Sequence, residues 1–591
     1  MKKIFRLVMV LFLAFVLVGC GGGNKLTGIT IKTERNRSQI QIGTTLQFTA
    51  VAQPAEAELG TVTWSVNNPS VATINENGLL TANATTAGIV KVTATTDSGF
   101  TANKTIRVSL EAVAEYPDLG GYEIKIAQAT VALGEINPFM PEETKAQYGY
   151  YAGLDREARQ LAWTSVEEDF NCTINVVEYP VDAPWGPSRW NYIVNQARLD
   201  DPQYDFYIVP DSQIPGFVSA NAIKDLTEWY DAYGNNLMNN LNKTAGSYKN
   251  KLYSINTSEP AIYNMLGYNY DLWVEINAYD PTIEEPAKMF NDGNWSYTTF
   301  VEYALKVQQA LTSLYGAEGG YYAVSGWPTY YWVGMVDRNG TGVADVTSLQ
   351  MHLTGADETA AGEALKSIYA AGAFDPAFNV DGGVASFNGG KALFNTGDLW
   401  FIGTNQDRWP AEINYGYVPF PAPDGYDTSK YYVGLTAEAC WVMAAGREKY
   451  YTAYGEDCTA ENVYWAIMQY WYRSKDNYQK ADNYDPAAQL QSTANAKFGS
   501  SKEGMKAFIT MSENLKTYAF YDPLASESNT IVATYASDLD IAIRDFVKGT
   551  GAATWNEAVG SFQDTLDKAI VDAFGWFIIL GDRIIKILGI S

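Results

Sequence analysis

The stretch FNGGKALFNTGDLWFIG, Phe387 to Gly403, decides how the chain is read. The pair Gly389-Gly390 ends one element, and Ala392, Leu393 and Phe394 form a short apolar run of the kind that makes a buried strand. Asn395, Thr396, Gly397 and Asp398 then read as a polar turn in which Gly397 takes positive φ. The turn carries the ring of Trp400 just past it, where it can line a cleft. A core tryptophan behind an ordinary turn is the competing reading of the same residues.

Composition bounds the function. Of 591 residues, 47% are hydrophobic and 18% charged, enough apolar surface for sizeable cores. Tyrosine (41) outnumbers phenylalanine (24), which points to rings at wet surfaces, because a phenol wants a partner for its hydroxyl. A formal charge of -26 repels phosphate backbones and argues against nucleic acid as a partner. The single histidine, His352, reads as a surface residue; one imidazole makes neither a His-clustered metal site nor a well-supported triad. No metal and no cofactor are expected. Apart from Cys20, the cysteines are Cys172, Cys440 and Cys458, without short spacing. Free buried thiols are expected, with a Cys440–Cys458 pair as the alternative.

The first segment reads as an address. Lys2, Lys3 and Arg6 precede the apolar run Leu7 to Val18, which ends in Leu17-Val18-Gly19-Cys20. This resembles the lipobox of bacterial lipoproteins, which implies removal of residues 1–19 and a diacylglycerol on Cys20, with residues 20–25 as a flexible tether. Two or three acyl chains would hold the chain at the outer face of a bacterial membrane. From 26 to 110 the chain alternates, as in Thr61-Val62-Thr63-Trp64-Ser65-Val66 and Val90-Lys91-Val92-Thr93-Ala94. Turn signals at Asn67-Asn68-Pro69, Asn77-Gly78 and Asp97-Ser98-Gly99 predict a small β-sandwich. The run from Thr63 to Ile74 with Asn77-Gly78-Leu79-Leu80 resembles bacterial Ig-like domains of the second group, which serve as stalks or adhesive modules. Residues 111–121 read as a linker.

From 122 to 573 the class changes to α/β. Glu123–Ala127, Thr173–Tyr179 and Tyr204–Val209 read as strands, separated by helices through Leu154, Ala158, Leu161 and Ala162 and from Trp190 to Leu199. Such alternation implies a parallel sheet, whose ligands sit at the carboxyl ends of its strands. That rule picks out Glu135 to Phe139, Trp185 and Asp211. An aromatic loop, Ser325-Gly326-Trp327-Pro328-Thr329-Tyr330-Tyr331-Trp332, adds Trp327 as a stacking candidate.

Three segments carry a family resemblance. Phe387–Gly403, Ile413–Pro421 and Val433–Met443 resemble, in order and distance, bacterial extracellular solute-binding proteins of the sugar-binding kind related to maltose-binding protein. The stretches Ile223–Trp229, Lys251–Trp273 and Gly293–Phe300 are similar to the same family. The resemblance implies a two-lobed, hinged α/β fold of the type II periplasmic-binding-protein kind behind an all-β Ig-like sandwich. It implies ligand contact from Trp400, Glu259, Thr436, Glu438 and Tyr521, beside Trp327 from the aromatic loop, with a buried loop core as its competing reading, and Trp185 and Asp211 from the strand ends, where a helix N-cap or turn is the stronger reading of Asp211. It also implies a monomeric, non-enzymatic subunit of an ABC importer that passes carbohydrate to a permease and ATPase. Asn462–Tyr472 is assigned to lobe two, and Thr554-Trp555-Asn556-Glu557 reads as a capping box. The apolar tail 574–591 departs from the family; it is too short and charged to span a bilayer. A glycan-binding adhesin, a glycoside hydrolase and a peptide-importing subunit are the alternatives.

Overall fold

The computed structural model describes residues 25–575 except 34–36, 111–114, 130–131, 141–152, 184–185, 263, 379–384, 403–407, 428, 438, 482–483 and 526–537. Cys20 with its leader, Trp185, Glu438 and residues 576–591 therefore lie outside the described residues. The chain divides near Asp118 into two units, each taken by itself.

The first unit is built of two four-stranded sheets. One runs in the order Gly28–Thr33, Thr45–Gln53, Leu79–Ala82, Ala72–Ile74; the other Gln39–Gln41, Thr101–Ser109, Gly88–Thr96, Val62–Val66. Alternation along Gly88–Thr96 turns Val90, Val92 and Ala94 inward, where Val90 and Val92 join Phe48, Leu80 and Ile106 in a common core. Gly78 has φ of +78°, and a Cβ there would lie 2.6 Å from the Phe48 carbonyl oxygen. The Asn77-Gly78 turn thus needs its glycine twice, for the dihedral and for the space.

The second unit has two lobes. Lobe one carries a five-stranded sheet in the order Cys172–Glu178, Tyr122–Gln128, Phe206–Val209, Cys440–Met443, Ser254–Ile255. The first three strands are parallel, and Cys440–Met443 enters antiparallel between its neighbours from far along the chain. Lobe two carries Tyr322–Val324, Ala392–Asp398, Asn264–Asn269 and Tyr415–Val418. Among the described residues the chain passes between lobes after Ile255 and again through Val433–Leu435, and the helices Ala460–Gln479 and Pro486–Phe498 lie in different lobes. Ala519–Tyr521 runs parallel to Val433–Leu435, making a two-stranded crossing pair. This is the two-lobed α/β architecture that the resemblance implied.

Local chemistry explains the helices. Ser296 and Thr299 form a capping box at the start of Tyr297–Tyr315, and Thr554 with Glu557 does the same for Trp555–Val559. Trp295 packs in the core and donates to the Pro419 carbonyl at 2.7 Å. Cys172, Cys440 and Cys458 are buried thiols, and that of Cys440 donates to the Ala437 carbonyl at 3.4 Å.

Some expectations are corrected. The strand beginning at Ala392 does not stop at Phe394 but runs buried to Asp398. Gly397 is inside it, without positive φ, and a Cβ would meet Phe401 at 2.7 Å and Trp409 at 2.8 Å. Its smallness serves close packing; the turn is the 3₁₀ step Leu399–Phe401. The helix containing Asn462–Tyr472 belongs to lobe one, where Trp471 meets Trp441 at 5.0 Å and Tyr464 meets Trp229 at 5.6 Å. Leu161 is mostly exposed, so helical spacing overstated the buried face.

Candidate functional site

The lobe-one strands Tyr122–Gln128, Cys172–Glu178 and Phe206–Val209 end together, and Pro210 turns the last of them into the 3₁₀ step Asp211–Gln213. Asp211 is buried. Its N–H donates to the Ala437 carbonyl at 2.9 Å, and its Oδ2 accepts the Tyr521 hydroxyl at 2.7 Å. Register pairs Leu435 with Tyr521, and Thr436 comes directly after, half-buried. Three candidates read separately from the sequence, Asp211, Thr436 and Tyr521, are thus gathered where lobe one meets the crossing pair. Burial, with the Asp211 carboxylate beside it, pushes the Tyr521 phenol well above its ordinary range, so it stays a donor.

Arg189, also buried, donates to the Ile208 carbonyl at 3.2 Å with its guanidinium 4.6 Å from the Tyr179 ring. Burial lowers its pKa, and the Tyr179 neighbourhood opposes that. Gln213 donates to the Gly186 carbonyl at 3.4 Å, while its buried Oε1 has no partner among the described residues. Neither residue stands out in the sequence, because nothing local separates a buried Arg or Gln from an exposed one.

Lobe two contributes the ends of Tyr322–Val324 and Ala392–Asp398, which are parallel. Asp398 pairs in register with Asn264, the first residue of the strand entered from lobe one. The strand ends of both lobes therefore abut the crossings. Trp400 donates from Nε1 to Asp398 Oδ2 at 3.0 Å, packs edge-on against Phe401 at 4.5 Å, and is half-buried, with the Arg408 guanidinium 5.6 Å from its ring. Asp398, two residues before Trp400, was legible as its partner had the turn been placed correctly.

The other candidates fall elsewhere. Trp327 is buried, 7% exposed, and donates to Asp540 Oδ1 at 2.8 Å, an oxygen that also accepts the Thr329 hydroxyl at 2.6 Å. The Arg544 guanidinium lies 4.7 Å from its ring. Glu259 is exposed and pairs with Lys475 at 3.2 Å. His352 is half-buried, 4.0 Å from Asp345. Among the described residues no group of three or more His, Cys, Asp or Glu could hold a metal ion, and no helix is long and apolar enough to cross a membrane.

Parts of the chain resemble known proteins. Residues 26–106 match the family model of the bacterial Ig-like domain (group 2). The tail tube protein pb6 of Escherichia phage T5 is 36% identical over 84 residues, which are 14% of this chain and 18% of that protein. Among solved structures, the GacH receptor of Streptomyces glaucescens GLA.O, solved unliganded and with acarbose and an acarbose homolog, is 14% identical. The match covers 76% of this chain and 99% of that one at a TM-score of 0.44. The ABC substrate-binding protein Lmo0181 from Listeria monocytogenes, in complex with cycloalternan, is 12% identical over 76% of this chain and 99% of that one, at 0.45. UgpB from Mycobacterium tuberculosis, with glycerophosphocholine, is 14% identical over 77% and 99%, also at 0.45.

Proposed function

We propose that residues 122–573 capture a carbohydrate between two hinged lobes, as the substrate-binding subunit of an ABC importer. One observation supports this reading: strand ends of both sheets meet segments that cross between the lobes, Asp211 through Tyr521 and Ala437 in one, and Asp398, which holds the half-buried Trp400, through Asn264 in the other. A ligand bridging those ends gains contacts in a closed form that an open form lacks, so its binding raises the closed population. Aromatic faces suit the C–H faces of a sugar, and buried carboxylate and amide groups suit its hydroxyls. Hydroxyl-rich, uncharged ligands also fit a chain of formal charge -26 better than polyanions do.

In this reading Cys20 bears the lipid that holds the chain at the outer membrane face. The Ig-like segment acts as a spacer, and the closed form is what the permease and its ATPase partner receive. The protein itself makes or breaks no bond.

The test is a titration of the full chain with a panel of oligosaccharides and, in parallel, peptides, read by calorimetry and melting temperature. A matching glycan at a hundred times its Kd is expected to stabilise the fold by about 2.7 kcal/mol. Trp400→Ala is expected to weaken that glycan at least tenfold while leaving the unliganded melting temperature within a few degrees. A response to peptides with none to any glycan would transfer the assignment to peptide uptake; steady release of reducing sugar would transfer it to a hydrolase.

A further inference from the structure

Two buried carboxyls that the proposed site does not use, Asp337 and Asp522, lie where lobe two meets the crossing pair. Asp522 comes directly after the strand Ala519–Tyr521. Asp337 opens the 3₁₀ step Asp337–Asn339 at the end of the lobe-two helix Pro328–Val336. Their side chains hydrogen-bond to each other. A Cβ at Gly342 would meet Asp522 Oδ2 at 2.6 Å and Asp337 Oδ1 at 3.2 Å, so both carboxyls border the same spot. Ionised carboxylates only accept, so a hydrogen bond between two of them requires one proton.

The donors around them show which carboxyl holds it. Asp522 Oδ2 accepts the Val343 and Ala344 N–H groups at 2.8 and 3.1 Å, and its Oδ1 accepts the Leu524 N–H at 2.7 Å. Three such donors favour the charged form of Asp522. Asp337 Oδ1 meets no donor among the described residues. The adjacent cation is engaged elsewhere, since Arg338 donates from Nη1 to the Tyr432 carbonyl at 2.6 Å. Asp357, which accepts Asn339 Nδ2 at 3.3 Å, adds only negative charge, and His352 turns its ring to Asp345 at 4.0 Å. Burial pushes the nearby phenols of Tyr297 and Tyr521 above their ordinary range, so they stay neutral. Burial raises both carboxyls too, and the Asp522 charge pushes Asp337 well above the usual carboxylate range.

The pair joins lobe two to both crossing strands. Gly434, in Val433–Leu435, lies so close that a Cβ there would be 2.0 Å from Asp337 Oδ2, and the Asp522 N–H donates to the Leu435 carbonyl at 3.1 Å. Tyr521, one residue earlier, turns the other way, to Asp211 of lobe one. We propose that Asp337 and Asp522 share one proton, which fastens the crossing pair to lobe two and so positions Tyr521 against Asp211. Ionising Asp337 would set two carboxylates together away from water. The opened chain releases this proton, so the fastening is complete below an ordinary 3.8 and is lost as pH rises through the raised range of the pair. The fastening is independent of what the site binds; only a pH-dependent affinity would rest on the proposed capture.

The test compares the full chain with Asp337→Asn, whose amide donates to Asp522 as the acid does but cannot ionise. Near pH 7 the infrared spectrum of the unsubstituted chain is expected to show a carboxylic-acid C=O band that the variant lacks. From about pH 5 to about pH 7, hydrogen-exchange protection of the 519–525 amides, corrected for the intrinsic rate, is expected to fall at least tenfold in the unsubstituted chain and less than twofold in Asp337→Asn. Asp337→Leu, which has no donor, is expected to lose at least tenfold of that protection near pH 5, where Asp337→Asn keeps it. No difference in the acid band, or the same pH dependence in both chains, overturns the shared proton. Full protection in Asp337→Leu overturns the fastening alone. Protection that calcium chloride raises in the unsubstituted chain but not in Asp337→Asn overturns the proton in favour of a shared cation.

Discussion

Asp205 and Asp211 flank the same short strand of lobe one, Phe206–Val209, and both are buried, yet they are held in opposite ways. Asp205 accepts from the Tyr122 hydroxyl at 2.8 Å, the Lys125 N–H at 2.7 Å, Arg447 Nε at 2.7 Å and the Tyr451 hydroxyl at 3.0 Å. All of these partners belong to lobe one. Asp211 takes its hydroxyl from Tyr521 and gives its N–H to Ala437, both in the segments that cross between lobes. A carboxylate closed within one lobe can only stabilise that lobe. One tied to the crossings links lobe one to the segments that join the two lobes.

The sharpest attempt to break this comparison is Arg447→Met. Burial pushes the Asp205 carboxyl up while Arg447 pulls it down, and Arg447 also donates to the Pro202 carbonyl and the Tyr122 hydroxyl. Removing the cation leaves a buried carboxylate uncompensated, an expected loss of about 3–5 kcal/mol in urea denaturation. Ligand affinity of the folded fraction is expected to stay within twofold. If it fell with stability, the division between the two ends of the strand would be wrong.

Glu135 offers the next largest effect. It comes after Tyr122–Gln128 on the short helix Leu133–Ile136, at the same end of the sheet as Asp211, and burial pushes its carboxyl from an ordinary 4.5 up to about 7. The folded state thus keeps a proton that the unfolded chain releases. This contribution is fully present below about 4.5 and is lost as pH rises through 7. Glu135→Gln is therefore expected to match the parent near pH 4 and to be the more stable by up to about 3 kcal/mol at pH 8. Parallel denaturation curves at the two pH values decide it, and identical pH profiles would show that Glu135 is solvated.

The smallest stability change and the most informative is Tyr521→Phe. Losing one hydroxyl to a buried carboxylate is expected to cost about 1–2 kcal/mol. Under the proposed closure, ligand affinity is expected to fall about fivefold, through the tie between Asp211 and the crossing. Lost stability with unchanged affinity would place Asp211 in the same class as Asp205.

Much of the fold was legible along the chain. The alternation of Gly88–Thr96, the caps at Ser296 and Thr554, and the strand-helix order from Tyr122 to Val209 are set by dihedral preference and side-chain period over a few residues. The site was legible only in pieces. Asp211, Thr436 and Tyr521 were each singled out, but nothing local joins residues 310 positions apart into one hydrogen bond. Gly397 shows the limit most clearly: a glycine after polar residues reads as a turn, and only the nearness of Phe401 and Trp409 makes it a strand residue.

By itself, then, the sequence determined the two classes of architecture, the Ig-like motif of residues 26–106 and the types of side chain available for a ligand. Tertiary structure alone decided that the helix Ala460–Gln479 joins lobe one, that Trp327 is buried with its N–H on Asp540 while Trp400 stays half-buried beside Asp398, and that Asp211 bonds to the crossing segments. The physical reason is range. Backbone preference and periodicity act between neighbours in the chain, whereas which face of a ring is covered depends on packing between segments that only folding brings together.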